Sequence, residues 1–523
     1  MINYSKIVNL SENCKKNILF NSEEIKNFLK ENKDFLIVKC NEKLGIIEKS
    51  LAENFFDNNG SIQCVGYLPN IFKTSFGSQN FLKEFDVKYA YMAGSMANEI
   101  SSPAMVIAFA KNDLLCSLGT GGLSLEKIEA DILEIKNNVS GKPFCCNILN
   151  APQEPEKEQK LIDLYIKHNI NIVEASAFIN LSEPLVYYRL NGLKKDENGN
   201  IIVKHHIIAK ISRDKIAKKF MEPAPEKIVK KLLEKGKITP LEAELSKFIP
   251  MASDITAESD SGGHTDNRQF TSLYTVIKNL SNDIQKEYNY SSPIRIGIGG
   301  GMGTPESILA AFEMGADYVV LGSINQSCIE AGTSDEVKEL LSKVDYTDMD
   351  MAPAADMFEM GAKVQVLKKG TLYPMRARHL FEIYNSYESI NDIPKDIKEK
   401  IETQYFQKTL EEVWQETKNF FTKINNLEML EKAEKSEKKK MALVFRWYLG
   451  QSPNWGRRAV LERKQDYQIW AGASLGAFND WAKNNEFKDP KNRKVVDITE
   501  KLFDEMLVLK KMNYLRDFYG FIF

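Results

Sequence analysis

Only seven cysteines occur in 523 residues, and no two are spaced C-x-x-C. An odd, scattered set provides neither a disulfide frame nor a zinc knuckle. It predicts a reduced, cytoplasmic protein without a structural metal. Cys145 and Cys146 are adjacent in an apparent strand, which sends their side chains to opposite faces. No run of about eighteen apolar residues is present, and Met1-Ile-Asn-Tyr-Ser-Lys lacks an apolar signal core. Neither a membrane span nor a secretion signal is expected. The net charge of −2 leaves no bulk basic field for nucleic acid or an acidic membrane. No solenoid-type repeat is found. What remains is an ordinary soluble composition, 43% hydrophobic and 27% charged, in a chain long enough for two to four domains.

Residues 1–86 read as a small mixed domain, with short strands at Phe35-Leu-Ile-Val-Lys-Cys and Leu44-Gly-Ile-Ile. From 87 to 345 the pattern alternates between strand and helix. Strands are expected at 88–93, 114–118, 143–148, 171–175, 206–212, 252–256, 294–298 and 317–321. Ser124 can cap a helix over 124–137 with Ile128, Ile132 and Ile135 on one face. A second helix, 305–314, can end at Gly315. Near-continuous apolar strands alternating with helices imply a parallel sheet, and eight of them favour a closed (β/α)8 TIM barrel. The turn Lys194-Lys-Asp-Glu-Asn-Gly-Asn-Ile suggests a hairpin before the fifth strand, and a helical insertion over about 215–248 follows that strand. Residues 346–500 form a mostly helical, aromatic lobe containing a Glu/Lys-rich run at 428–440, and 501–523 form a tail.

Ile294-Arg-Ile-Gly-Ile-Gly-Gly-Gly-Met-Gly-Thr304-Pro-Glu carries the strongest signal. A β-branched strand enters a glycine cluster, and the cluster enters a helix that Thr304 can cap and Pro305 can begin. Such a junction brings backbone N–H groups and the positive helix end to an anion. Asp317-Tyr-Val-Val-Leu-Gly322-Ser323 supplies a neighbouring strand end. Together they are the arrangement of a phosphate site at the top of a (β/α)8 barrel. No register of these glycines gives G-x-G-x-x-G, and the cluster lies late in the alternation, so a dinucleotide fingerprint is excluded.

Four elements should meet it at the barrel mouth. Small residues Ala93, Gly94 and Ser95 after the first strand let a flat ring lie on backbone. Asn147 ends the third strand and either hydrogen-bonds a ring edge or caps a turn. Lys210 sits in the apolar run Ile207-Ile-Ala-Lys-Ile-Ser. It either stabilises a ligand anion or reaches past the strand end into solvent. Asp260-Ser-Gly262-Gly263-His264-Thr-Asp266 offers two glycines to a phosphate and, in His264, a proton carrier. The His205-His206 pair has no third ligand in sight and reads as structural.

With these residues in place, Asp260-Ser-Gly-Gly-His-Thr-Asp-Asn-Arg, Gly300-Gly-Met-Gly-Thr-Pro and Gly322-Ser-Ile-Asn-Gln resemble the FMN-dependent nitronate monooxygenase superfamily. The likeness is greatest to its PfaD-type enoyl reductases, which act in trans with polyunsaturated fatty acid and polyketide synthases. Tyr91-Met-Ala-Gly-Ser-Met-Ala-Asn, Gly119-Thr-Gly-Gly-Leu-Ser-Leu-Glu and Ala352-Pro-Ala-Ala-Asp-Met-Phe-Glu narrow the match. So do Met441-Ala-Leu-Val-Phe-Arg-Trp-Tyr and Gly472-Ala-Ser-Leu-Gly-Ala-Phe-Asn-Asp-Trp. The chain departs from the pattern with Gly-Gly-Met-Gly where Gly-Gly-Ile-Gly is commoner, and the tail has no counterpart.

The resemblance implies FMN in the barrel mouth, NADPH or NADH as reductant, and reduction of an enoyl thioester on an acyl carrier protein. A nitronate monooxygenase using oxygen is the alternative. It further implies that His264 and Lys210 are catalytic, that Lys210 and Asn147 lie near the flavin ring, and that Ala93, Gly94 and Ser95 lie beneath it. Gly262, Gly263, Gly300, Gly301, Gly322 and Ser323 would hold the phosphate. Arg376, Arg378 and His379 are the basic candidates for receiving an acidic carrier protein. The aromatic lobe offers a face for a homodimer.

Overall fold

The computed structural model describes residues 9–150, 155–424 and 426–523. Packing divides the chain into two compact units. One holds Tyr91–Gly303 and Asp317–Val495; the other holds the residues up to Ala90, then Thr304–Ala316 and Val496–Phe523.

In the larger unit, eight parallel strands close a barrel in chain order: Tyr91–Ala93, Leu115–Leu118, Cys145–Leu149, Ile172–Ser176, His206–Ile211, Asp254–Glu258, Arg295–Gly299 and Val319–Leu321. The eighth strand closes on the first, with Val319 opposite Tyr91. The strands are apolar and buried almost throughout because helices cover their outer faces, the condition for a parallel sheet. In helix Leu125–Val139 the Ser124 side chain accepts from Lys127 N–H, and Ile128, Ile132 and Ile135 are all buried. At Cys145 and Cys146 both neighbouring side chains are buried, one on each face of a covered strand. The excursion before the fifth strand is a two-stranded hairpin, Lys194–Lys195 against Ile201–Ile202. The insertion after that strand is three short helices, Asp214–Met221, Glu226–Glu234 and Pro240–Leu245.

Beyond the barrel, Met349–Pro353, Lys363–Leu367 and the two-residue strand Gly263–His264 form a small antiparallel sheet. This sheet carries the lobe, in which helices Tyr373–Ser386, Leu410–Lys423 and Glu437–Arg457 bury a shared core that includes Phe358, Tyr405, Trp414, Phe445 and Tyr448. The lobe and the barrel thus belong to one unit.

The smaller unit has a four-stranded sheet that includes Phe35–Cys40 against Lys43–Glu48. The C-terminal helix Val495–Tyr519 packs there rather than trailing as a tail. Leu515 and Phe521 share a core with Phe35 and Leu68. The buried Lys511 ammonium donates to the carbonyls of Leu29 (2.9 Å) and Glu31 (3.0 Å). Glu500 accepts from Lys73 and Tyr89, both at 2.9 Å, and pairs with Lys88 at 2.5 Å.

His205, at the foot of the fifth strand, is fully buried against the ring of Tyr188, 4.5 Å away. Burial, aided by Lys204, pushes its pKa down to about 4. The folded protein keeps it neutral while the unfolded chain takes up a proton below about pH 6.5. This stabilisation is therefore complete above that pH and is lost as pH falls toward 4. Urea unfolding of wild type and His205→Leu at pH 7 and pH 5 should show wild type losing about 2 kcal/mol more than the variant. Equal losses in the two proteins would rule out the buried neutral histidine.

Candidate active site

Each barrel strand ends in a loop at the same mouth. The first strand delivers Ala93, which is buried, then Gly94 and Ser95. The Gly94 N–H donates to the Leu321 carbonyl (3.0 Å), and the Ser95 N–H donates to the Glu174 carboxylate (2.8 Å). A Cβ on Gly94 would stand 2.9 Å from Val320 Cγ1. Close packing there admits only glycine, so the floor of the mouth is bare backbone.

Asn147 is 3% exposed. Its Nδ2 donates to the Glu174 carbonyl (3.0 Å) and to Ser176 Oγ (3.1 Å). The amide nitrogen therefore braces the fourth strand end, and the amide oxygen is the atom left to meet a ligand.

Lys210 does not reach into solvent. Its Nζ lies 3.1 Å from Glu258 Oε1, with both side chains about one-fifth exposed. Burial works against its charge, but the Glu258 and Glu174 carboxylates outweigh burial and hold its pKa up at about 12. A fixed cation thus sits between two acids at the mouth. Neither acid carries a motif of its own, and sequence reasoning passed over both. The available signal was a glutamate within an apolar strand, Glu174 in Ile172-Val-Glu-Ala-Ser176, and one ending such a strand, Glu258 in Asp254-Ile-Thr-Ala-Glu258.

The loop after the sixth strand is pinned at both ends. Asp266 accepts from Ser212 Oγ (2.7 Å) and from Arg213 Nε (3.0 Å). The Arg213 hydrogen bonds pull its pKa down to about 2. The Gln365 amide donates to Asp260 Oδ1 and to the Ser261 carbonyl, both at 2.8 Å. Between these ties His264 Nε2 lies 3.0 Å from Asp356 Oδ1. The hydrogen bond to Asp356 raises the His264 pKa against the opposing effect of burial. The imidazole is half exposed.

Of the six phosphate-loop candidates, Gly301 is committed elsewhere, since its N–H donates to the Asp260 carbonyl (2.7 Å). It fixes the turn and is not a free donor. Gly322 is the opposite case. A Cβ there would meet no protein atom within 4 Å, and its φ of −123° suits any residue. Protein packing does not demand glycine at 322, and the open space beside it is what a ligand would fill.

A strap from the lobe, residues 470–474, completes this corner. The Gly472 N–H donates to Ser323 Oγ (2.9 Å). A Cβ on Gly262 would come within 2.7 Å of Ala471 backbone, and one on Gly303 within 2.3 Å of the Ser474 carbonyl. Gly262, Gly303 and Ser323 thus meet one short segment about 150 residues further along the chain from Ser323.

The nitronate monooxygenase model matches residues 79–377, which spans the barrel and its mouth. The chain belongs to the nitronate monooxygenase family. A second model, the inserted helical domain of [acyl-carrier-protein] S-malonyltransferase, matches 387–467 in the lobe. Among solved structures, the enoyl reductase domain of MlnA from the macrolactin biosynthesis cluster of Bacillus amyloliquefaciens superposes with a TM-score of 0.80 at 40% identity. It covers 84% of this chain and 100% of that one. Polyketide biosynthesis protein PksE of Bacillus subtilis is 42% identical over 436 residues, 83% of this chain and 56% of PksE. A polyunsaturated fatty acid synthase component of Thraustochytrium sp. is 40% identical over 448 residues, 84% of this chain and 30% of that component. This family member therefore spans about half or less of these two relatives.

Of the basic trio in the lobe, Arg376 is withdrawn from the surface, and Arg378 and His379 are partly exposed but engaged by neighbours. Arg376 is 7% exposed, pairs with Asp466, and stacks on Tyr405 at 5.0 Å. His379 Nδ1 lies 2.9 Å from the Tyr405 hydroxyl. Arg378 donates to Asp350 (2.6 Å) and to the Met351 carbonyl (3.0 Å). Helical periodicity turns Arg376 into the lobe core, where a buried arginine needs a carboxylate, and Asp466 supplies it. Among the described residues no group of His, Cys, Asp and Glu is placed to hold a metal ion. No helix among them is long and apolar enough to cross a membrane.

Gly322→Asp should leave the fold intact, because its Cβ meets open space at an allowed φ. It should weaken binding of an FMN probe, followed by flavin fluorescence, by about tenfold or more. Unchanged affinity with an intact fold would remove Gly322 from the phosphate site.

Proposed function

We propose that this protein is an FMN-dependent enoyl reductase that acts on the α,β double bond of an acyl thioester delivered by an acyl carrier protein of a polyketide or polyunsaturated fatty acid synthase. The observation that carries this reading is the match to a solved enoyl reductase domain along that domain's whole length, in a protein whose lobe supplies part of its own site. The nitronate monooxygenase model, by contrast, ends at residue 377, before most of the lobe.

The residues present fit a flavin. Backbone at Ala93–Ser95 would lie beneath a flat ring, the Asn147 amide oxygen could accept from a ring N–H, and Lys210 would supply positive charge beside the ring. Ser323 Oγ accepts from Gly472 and still has its own proton to donate to a phosphate. With it, Gly322, Gly263 and Gly300 would hold that phosphate. When bound, reduced FMN, replenished by NADPH or NADH, would supply hydride to the β-carbon of the enoyl thioester.

The chain's own part is orientation and proton supply. Negative charge develops on the thioester oxygen as the β-carbon is reduced, so a positioned donor lowers the barrier. The α-carbon then needs a proton. With Nε2 of His264 engaged by Asp356, Nδ1 is the atom that can present one.

Anaerobic stopped-flow absorbance tests the reading. Protein loaded with FMN should bleach with NADPH and recover its flavin band on addition of a crotonyl carrier protein. Recovery only with oxygen and an alkyl nitronate would instead favour the monooxygenase.

Activity that depends on protonated His264 should fall as pH rises through its raised pKa. In Asp356→Asn the raising partner is gone, so the same fall should come at lower pH. His264→Ala should lose about a hundredfold or more in kcat, the usual scale for a general acid. A pH profile identical in Asp356→Asn would dismiss the pair as the proton source.

A further inference from the structure

A narrow cleft opens beside the strap, with Ile469 and Trp470 in its wall. Asn98, Gln326 and Arg457 contribute its polar atoms, and Ile100, Pro453 and Trp470 its apolar walls. Its enclosed base has room for about one water molecule, and above that it is open to solvent, so a slender chain can lie along it.

The polar groups in it are unspent. Gln326 is 3% exposed, and its amide makes no hydrogen bond among the described residues, so its polar atoms are left to whatever enters the cleft. The Asn98 amide likewise has no partner among them. Arg457 Nε is buried without an acceptor, and the Arg457 guanidinium meets Glu99 only at 3.9 Å.

The cleft is also in the right place. Asn98 lies in the loop after the first barrel strand. Gln326 closes the short helix Ser323–Gln326 that begins at the candidate phosphate site. The Trp470 ring stands 3.9 Å from where a Cβ on Gly263 would be, beside His264. A chain threaded along the cleft would thus point its end past Trp470 at the mouth.

We propose that this cleft receives the phosphopantetheine arm of the substrate, an inference that rests on the enoyl-thioester reading above. The arm is unbranched along most of its length and carries two secondary amides separated by methylenes. Each primary amide of Asn98 and Gln326 can both donate to and accept from such a group. Ile100, Pro453 and Trp470 cover the methylenes, and Arg457 suits the terminal phosphate.

The test compares three crotonyl thioesters in FMN-loaded enzyme: pantetheine, phosphopantetheine, and N-acetylcysteamine, which lacks most of the arm. Binding of unreactive S-butyryl pantetheine is followed in parallel by calorimetry. Wild type should prefer the pantetheine thioester over the truncated one by at least about tenfold in kcat/KM. In Gln326→Met that preference should collapse toward one, and S-butyryl pantetheine should bind about tenfold more weakly. Asn98→Gly, which keeps the left-handed backbone at φ 57°, is a second variant and should show the same loss. Arg457→Leu should erase only the gain from the phosphate. A coenzyme A thioester used as well as the carrier-bound one would identify free thioesters as a source of the same arm. Loss of both substrates in equal proportion, or an unchanged preference with unchanged binding, would overturn the assignment. Wild type that reduces none of the thioesters would instead count against the enoyl reductase reading itself.

Discussion

Backbone laid on backbone is the constraint from which the rest of the mouth follows. The strap at 470–474 reaches the barrel loops without an intervening side chain, because Gly262 and Gly303 leave no Cβ in its way. A hydrogen bond from Gly472 N–H to Ser323 Oγ ties the strap to the eighth strand end. Main-chain continuity then extends outward: Leu367 N–H donates to the Ile469 carbonyl (2.8 Å), and Val366 bridges Trp470. The lobe's small sheet, which already includes Gly263–His264 of the barrel's sixth loop, is thereby joined to the strap. A methyl group on either glycine would separate elements drawn from the ends of different strands.

Charge does the complementary work. Lys210 is held between Glu174 and Glu258, and Glu174 is itself held by a backbone N–H of the first strand's loop. The fifth strand's cation is thus oriented by the fourth, sixth and first. Asp266 and Gln365 immobilise the loop that carries His264, so the imidazole stands on two fixed supports. Preorganisation of this kind lets a polar site act without rearranging at each turnover.

Much of this was legible in the sequence. Eight apolar β-branched runs gave the strands, because burial on both faces writes a continuous apolar signature that needs no knowledge of neighbours. Glycine clusters and Asn147, Lys210 and His264 stood at strand ends and so could be assigned to the mouth. Glu174 and Glu258 were missed because each reads as a lone acid, and only the closed barrel sets both around Lys210. Asp356 lies 92 residues from His264, beyond any spacing rule. Arg376 misled because its charge advertises solvent, whereas helix phase and Asp466 place it inside. The C-terminal helix looked like a tail since its partners, Phe35 and Leu68, lie over 400 residues earlier.

That last pairing has a consequence for biosynthesis. The smaller unit joins early residues to Val496–Phe523, with about 400 residues made in between. At about 5–20 residues per second, the early sheet waits roughly 20–80 s for the helix that buries one side of it. During that interval Phe35 and Leu68 lack Leu515 and Phe521, and the Leu29 and Glu31 carbonyls lack Lys511. A ribosome-bound nascent chain therefore carries an unfinished apolar face on this early sheet until synthesis has passed residue 521.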